Sequence, residues 1–170
     1  RGLKLAEVGA GDPKSHLRPT SDRVREAIFN LLVNGGYGNP LNGARVLDIF
    51  AGTGALGLEA LSRGATHASF IENGKAALAL LTRNIALMRA EAMTALHRKD
   101  ATAPGPNPSA PFEVIFLDPP YGKAMGEVAL SALAPWLAPE ALVVWEENTP
   151  PTPPAARGLF QPRGGQRWPG

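Results

Sequence analysis

Asp118, Pro119, Pro120 and Tyr121 stand directly after the apolar run Val114, Ile115, Phe116 and Leu117. That run is of strand type, rich in β-branched and aromatic residues, and it stops at a charge followed by two prolines. Proline cannot continue a central strand, and it holds the residue before it extended. Asp118 is therefore expected at the carboxyl end of a buried strand, with a rigid turn behind it and the Tyr121 ring beside it. In open α/β sheets that edge is where ligands bind. A carboxylate, a backbone carbonyl and a flat ring together make a receptor for a planar amine.

A second constellation lies upstream. Gly52, Gly54 and Gly57 follow the apolar run Val46–Phe50 and satisfy G-x-G-x-x-G, and Glu72 ends the next expected strand. In outline this is the dinucleotide fingerprint. Two details argue against a pyrophosphate: Asp48 would repel it from the strand end, and the turn is longer than the tight entry such a site uses. A ligand with an ammonium group, a carboxylate and a ribose fits better. Asp48 would face the ammonium, and the helix beginning near Ala55 would offer amides to the carboxylate. Glycines at 52 and 54 would let the backbone approach closely, and Glu72 would accept from the ribose hydroxyls. That ligand is S-adenosylmethionine. No metal is expected, since cysteine is absent and the three histidines, His16, His67 and His97, are scattered.

The elements that must position these groups alternate strand and helix. Strands are expected at Arg45 to Phe50, His67 to Glu72, Ala95 to Arg98, Phe112 to Leu117 and Ala141 to Trp145. Helices are expected at Ala55 to Arg63, Lys75 to about Arg89 and Gly126 to about Leu137. Repeated βα units of this length imply a Rossmann-like α/β domain, a mostly parallel twisted sheet with helices on both faces. Ahead of it, Thr20 or Ser21 can cap a helix whose stripe is Val24, Ile28, Leu31 and Leu32, and Leu3-Lys4-Leu5 can form a short strand. Three segments follow: an N-terminal extension and helix over 1–40, a core over 41–149, and a proline- and glycine-rich basic tail over 150–170 with at most an edge hairpin. Trp136 and Trp145 read as core, and Glu146 and Glu147 as a solvated strand end.

At 170 residues the chain is long enough for one domain with a real core. Its net charge is only +2, but the ends are basic and the middle is acidic. Basic flanks around an acidic centre suit a polyanion gripped at the rim of a carboxylate-lined pocket, although solvated termini would give the same pattern. No apolar run approaches the ~18 residues of a membrane span, and the start Arg1-Gly2-Leu3-Lys4 is no signal peptide. A cytoplasmic monomer is expected, with a short leading piece missing ahead of Arg1.

Residues Arg18 to Asn30, Leu47 to Arg63 and Asp118 to Tyr121 together resemble the bacterial small-subunit ribosomal RNA guanine methyltransferases, S-adenosylmethionine enzymes that modify a guanine exocyclic amine. The resemblance runs from about residue 1 to about 147. It implies a class I methyltransferase fold with cofactor contacts at Asp48, Gly52, Gly54, Glu72 and Asp100, the last toward the adenine amine. Phe50, Thr53, Asn73 and Ala101 join this cofactor set as their neighbours. It implies catalysis at Asp118, Pro119, Pro120 and Tyr121. RNA contacts fall to Arg18, Thr20, Arg23 and Arg25, and the partner is ribosomal RNA or a partly assembled small subunit. The chain departs from the family in its proline-rich link after Asp100, in Asn73-Gly74 where an acid is common, and in a tail without the apolar last strand. A DNA or other RNA adenine methyltransferase would use the same turn, but nothing here is long enough for a separate target-recognition region. A nicotinamide oxidoreductase leaves Asp118 to Tyr121 without a task, and a non-catalytic RNA-binding module leaves the cofactor pocket unexplained.

Overall fold

Strands buried on both faces read as continuous apolar runs, and the runs of this chain assemble accordingly. The computed structural model describes residues 22–120, 124–147 and 158–162. In chain order these form α1 (Asp22–Asn34), β1 (Arg45–Ile49), α2 (Ala55–Ser62), β2 (His67–Ile71), α3 (Lys75–Leu87), β3 (Thr94–His97), β4 (Phe112–Leu117), α4 (Met125–Leu133), β5 (Leu137–Glu147) and β6 (Gly158–Pro162). The described strands make one sheet, ordered β3-β2-β1-β4-β5-β6, and every neighbouring pair is parallel.

Side chains alternate across the sheet, so two cores form. One face carries Val46, Phe70, Phe116 and Val144, packed with Ile28, Phe29 and Leu32 of α1, Leu58 of α2 and Leu81 of α3. The other carries Leu47, Ile115, Val143 and Trp145 under Leu130 and Leu133 of α4 and under Trp136. The chain winds outward from β1 to β3, then returns to lay β4 on the opposite side of β1. Strand order therefore reverses between β1 and β4, and a crevice opens there beyond the carboxyl ends.

Several boundaries differ from expectation for local reasons. The α1 stripe turns on Phe29, fully buried with its ring 5.5 Å from that of Phe116, while Val24 and Leu31 lie at its margin. Helix α4 ends at Leu133 because Pro135 enters the short 3-10 turn Ala134–Trp136. Strand β5 starts early, at Leu137, and its register slips between the Phe112 and Val114 pairings. The proline-rich link after Asp100 is tied down by the Trp136 indole, whose Nε1 donates to the Gly105 carbonyl at 2.9 Å.

Two expectations at the C-terminal end are corrected. In place of an edge hairpin, β6 pairs parallel with β5, Val143 to Glu147 against Gly158 to Pro162. A hairpin would set the two strands antiparallel, and every rung between β5 and β6 is parallel. Glu146 is not a solvated strand end: only 6% of it is exposed, and β6 continues the sheet past it through the Gln161 rung. Leu3-Lys4-Leu5 lies outside the described residues. No described helix is long and apolar enough to cross a membrane.

Phe116 lies at the middle of the first core and on the strand that carries Asp118. Phe116→Ala is expected to cost about 3–5 kcal/mol, read as a lower urea midpoint at unchanged slope.

Candidate active site

The bend after β1 is built from left-handed backbone, with φ of 57° at Phe50, 58° at Gly52 and 79° at Gly54. The Ala51 amide donates to the Ile71 carbonyl at 3.1 Å, and the Gly54 amide to Ala51 at 2.8 Å. The glycines are there for different reasons. A Cβ on Gly52 would meet nothing within 4 Å, so its conformation alone asks for glycine. A Cβ on Gly54 would fall 2.2 Å from Leu81, and one on Gly57 would fall 2.5 Å from the Phe70 ring. Phe50 has no such freedom; its strained backbone is held by packing of its ring against the second core. Gly54 is the N-cap of α2 and offers no capping side chain of its own.

The acids close around this bend. Glu72 Oε1 accepts from the Gly52 amide at 2.8 Å, and its Oε2 accepts from Gly74 at 2.9 Å and Asn73 at 3.1 Å. Glu72 thus pins the glycine bend to the tip of β2 while retaining lone pairs for hydroxyl donors. Asp48, only 2% exposed, accepts at Oδ2 from the Gly57 amide at 2.9 Å. Burial, with Asp118 and Glu72 nearby, holds the Asp48 carboxyl well above the usual carboxylate range, against the opposing pull of the Gly57 amide. A ligand cation would relieve that strain.

Period-two alternation puts four carboxyls on one face. Asp48, Glu72, Asp118 and Glu146 each stand two residues beyond Val46, Phe70, Phe116 and Val144, all members of the first core. β2 pairing extends to Glu72, whose amide donates to the His97 carbonyl at 3.1 Å. Burial, reinforced by Asp118, pushes Glu146 up from 4.5 to about 7. Asp118 is half-buried, Pro119 buried and Pro120 exposed.

The remaining expected residues divide. Ala101 is buried beside Ile49 and Ile71, which brings the segment after β3 to the crevice. Asp100 is exposed, and its Oδ1 accepts from both the Thr102 amide (2.9 Å) and hydroxyl (2.7 Å), bonds that lower its pKa. It therefore holds a turn, with Oδ2 left for any further donor. Asn73 is exposed. Arg25 is paired with Asp22 at 2.8 Å within the first turn of α1, and Arg23 is exposed beside it. Arg18, Thr20 and Tyr121 lie outside the described residues. The sequence reading missed Asn84, fully buried on α3, whose Nδ2 donates to the Thr53 carbonyl at 2.9 Å and so braces the bend from below. Its signal was a polar residue within the buried stripe Ala77, Leu81, Asn84, Ile85. His67 and His97 are structural, the first bonded to Ser69 at 2.8 Å and the second set edge-on to Trp136. Among the described residues no cluster of three or more metal-ligating side chains occurs.

A glycine bend at the switch point, an acid at the tip of β2 and an acid–proline–proline turn on β4 define a Rossmann-like class I methyltransferase domain. Comparison with known proteins narrows this. A solved Escherichia coli structure matches with a TM-score of 0.67 at 36% identity, covering 84% of this chain and 73% of that one. A family model described as Conserved hypothetical protein 95 matches residues 3–162. Ribosomal RNA small subunit methyltransferase D of Escherichia coli (strain K12) is 40% identical over 158 residues, 85% of this chain and 73% of the relative. Its Haemophilus influenzae namesake is 36% identical over 151 residues, 86% and 74% of the two chains. The chain belongs to this family of ribosomal RNA methyltransferases.

Two predictions follow from the packing and the buried charge. Gly54→Ala, strained and clashing, is expected to lose about 2–4 kcal/mol of stability, and Gly52→Ala only about 1 kcal/mol; differential scanning calorimetry of both variants checks the order. Glu146 has a raised pKa in the folded state, so its contribution to stability is complete below about 4.5 and is lost as pH rises through about 7. Urea unfolding at pH 5 and pH 8 should show Glu146→Gln removing roughly 1–2 kcal/mol of that pH dependence, after allowance for screening.

Proposed function

We propose that the chain transfers a methyl group from S-adenosylmethionine to the exocyclic N2 amine of a guanine in small-subunit ribosomal RNA. The observation that carries this reading is the shared face: β1 and β4 are adjacent, Asp48 pairs with Phe116, and Asp48 and Asp118 each stand two residues beyond a member of the first core, Val46 and Phe116. A base amine held by Asp118 thus lies next to a cationic ligand held by Asp48. The relatives' name, ribosomal RNA small subunit methyltransferase D, supports the substrate class. In this reading residues 1–40 contact RNA and cofactor, 41–149 form the catalytic core and 150–170 form a basic tail. The substrate is free RNA or a partly assembled subunit, met by a monomer without metal or membrane.

The residues present fit the methyl donor. Asp48 is a buried acid in need of a positive neighbour, Glu72 is a carboxylate with lone pairs to spare at the tip of β2, and the bend is held open by Gly52. When bound, S-adenosylmethionine supplies an electrophilic methyl on a positive sulfur. A guanine amine is a weak nucleophile because its lone pair is delocalised into the ring. Asp118 accepts one of its N–H bonds and the Pro119 carbonyl the other, which draws the nitrogen toward a tetrahedral shape and localises the lone pair. Positioning at near-contact distance (~3–3.5 Å) then provides most of the acceleration. The proton lost from nitrogen passes to Asp118 or to water, and Tyr121 stacks on a base turned out of its helix.

Asp118→Ala should lower methyl transfer by roughly 10²–10³-fold, while the affinity for S-adenosylmethionine stays within a few-fold of the parent. Labelled methyl transfer to ribosomal RNA and to assembled subunits, followed by identification of the modified nucleoside, tests both parts. N2-methylguanosine made by the parent and lost in the variant is the expected result. Any other nucleoside, or a fully active variant, contradicts it.

A further inference from the structure

We propose that Glu146 is a specificity-determining residue of the same cleft: it accepts the ring N1–H of the target guanine while Asp118 accepts from the N2 amine. This rests on the guanine reading above and adds to it the group that tells guanine from other amino-purines.

The geometry begins with the β4–β5 register. Leu117 pairs with Trp145 in the last rung of this ladder, so Asp118 and Glu146 each directly follow it on adjacent parallel strands whose backbones lie ~4.8 Å apart. Both stand two residues past members of the first core, Phe116 and Val144, and so both side chains belong to one face. Glu146 is nonetheless 94% covered, which is unusual for a strand-end glutamate on a chain with abundant water to reach. Burial first, and the neighbouring Asp118 second, raise Glu146 to about 7, so an ionised carboxyl here is costly.

A function explains the acid. The Watson–Crick edge of guanine presents two neighbouring donors, N1–H and N2–H, so a pair of adjacent carboxylates matches it. Adenine presents an acceptor at N1 beside its single donor group, the N6 amine, and 2-aminopurine keeps the N2 amine but also has an acceptor at N1. Each would set a lone pair against the Glu146 carboxylate, and a polar site rejects an analogue that leaves a buried group unpaired far more strongly than an apolar pocket does.

The test replaces the guanosine identified by nucleoside mapping with 2-aminopurine riboside in ligated ribosomal RNA, used free or reconstituted into subunits, whichever supports transfer. The parent enzyme should prefer guanosine in kcat/KM by about tenfold to a hundredfold. In Glu146→Gln, whose amide can donate to N1, that preference should fall at least about tenfold with the KM for S-adenosylmethionine unchanged. A variant slowed equally on both substrates has lost only structure, and overturns the inference. So does a parent that methylates both substrates alike, a result that needs no variant to fold. If the parent makes no N2-methylguanosine at all, the guanine reading itself fails, which is a separate outcome.

Discussion

Four carboxyls lie on one face of one sheet, at neighbouring strand tips, and the structure around them is arranged to tolerate that. Period-two alternation gives β1, β2, β4 and β5 no choice: once Val46, Phe70, Phe116 and Val144 fill the first core, Asp48, Glu72, Asp118 and Glu146 share its upper rim. Like charges in a half-dry crevice repel. The protein offsets part of this with backbone amides, the Gly57 amide on Asp48 and those of Gly52, Asn73 and Gly74 on Glu72. In the function proposed above, the rest is relieved by a ligand bearing positive charge and a base edge bearing N–H donors.

The glycine bend serves the same constraint. It has to bring backbone close to the tip of β1 without adding bulk over Phe70 and Leu81, and glycine at 54 and 57 meets that need. Glu72 and Asn84 then hold the bend from two sides, one at the Gly52 amide and one at the Thr53 carbonyl. A bend braced in this way is pre-organised for its ligand, so less binding energy is spent on ordering it.

Much of this was legible in the sequence. The apolar runs marked β1, β2 and β4 to within a residue, because a strand buried on both faces has almost no polar position to mislead the reading. Asp48, Glu72 and Asp118, which share one face of the sheet, stood out because each is an acid within such a run or directly after it. Glu146 was misjudged for the same kind of reason in reverse: with β5 taken as the last strand, an acidic pair after Trp145 reads as solvent-facing. The parallel pairing of β6, which no local pattern announces, sets a further strand beyond it. Asp100 was assigned to a ligand without notice that Thr102, two residues on, could claim one of its oxygens. Asn84 was hidden because a single polar residue hardly disturbs a helical stripe, and its partner is 31 residues away in sequence.

Isothermal titration calorimetry of the whole chain with S-adenosylmethionine, and separately with NAD, tests the central claim most directly. An acid-lined crevice beside a glycine bend should bind the sulfonium cofactor at one site per chain and give no heat with the dinucleotide. Heat with NAD and none with S-adenosylmethionine would show that the four carboxyls do not serve a cationic methyl donor, and the account built on them would fall.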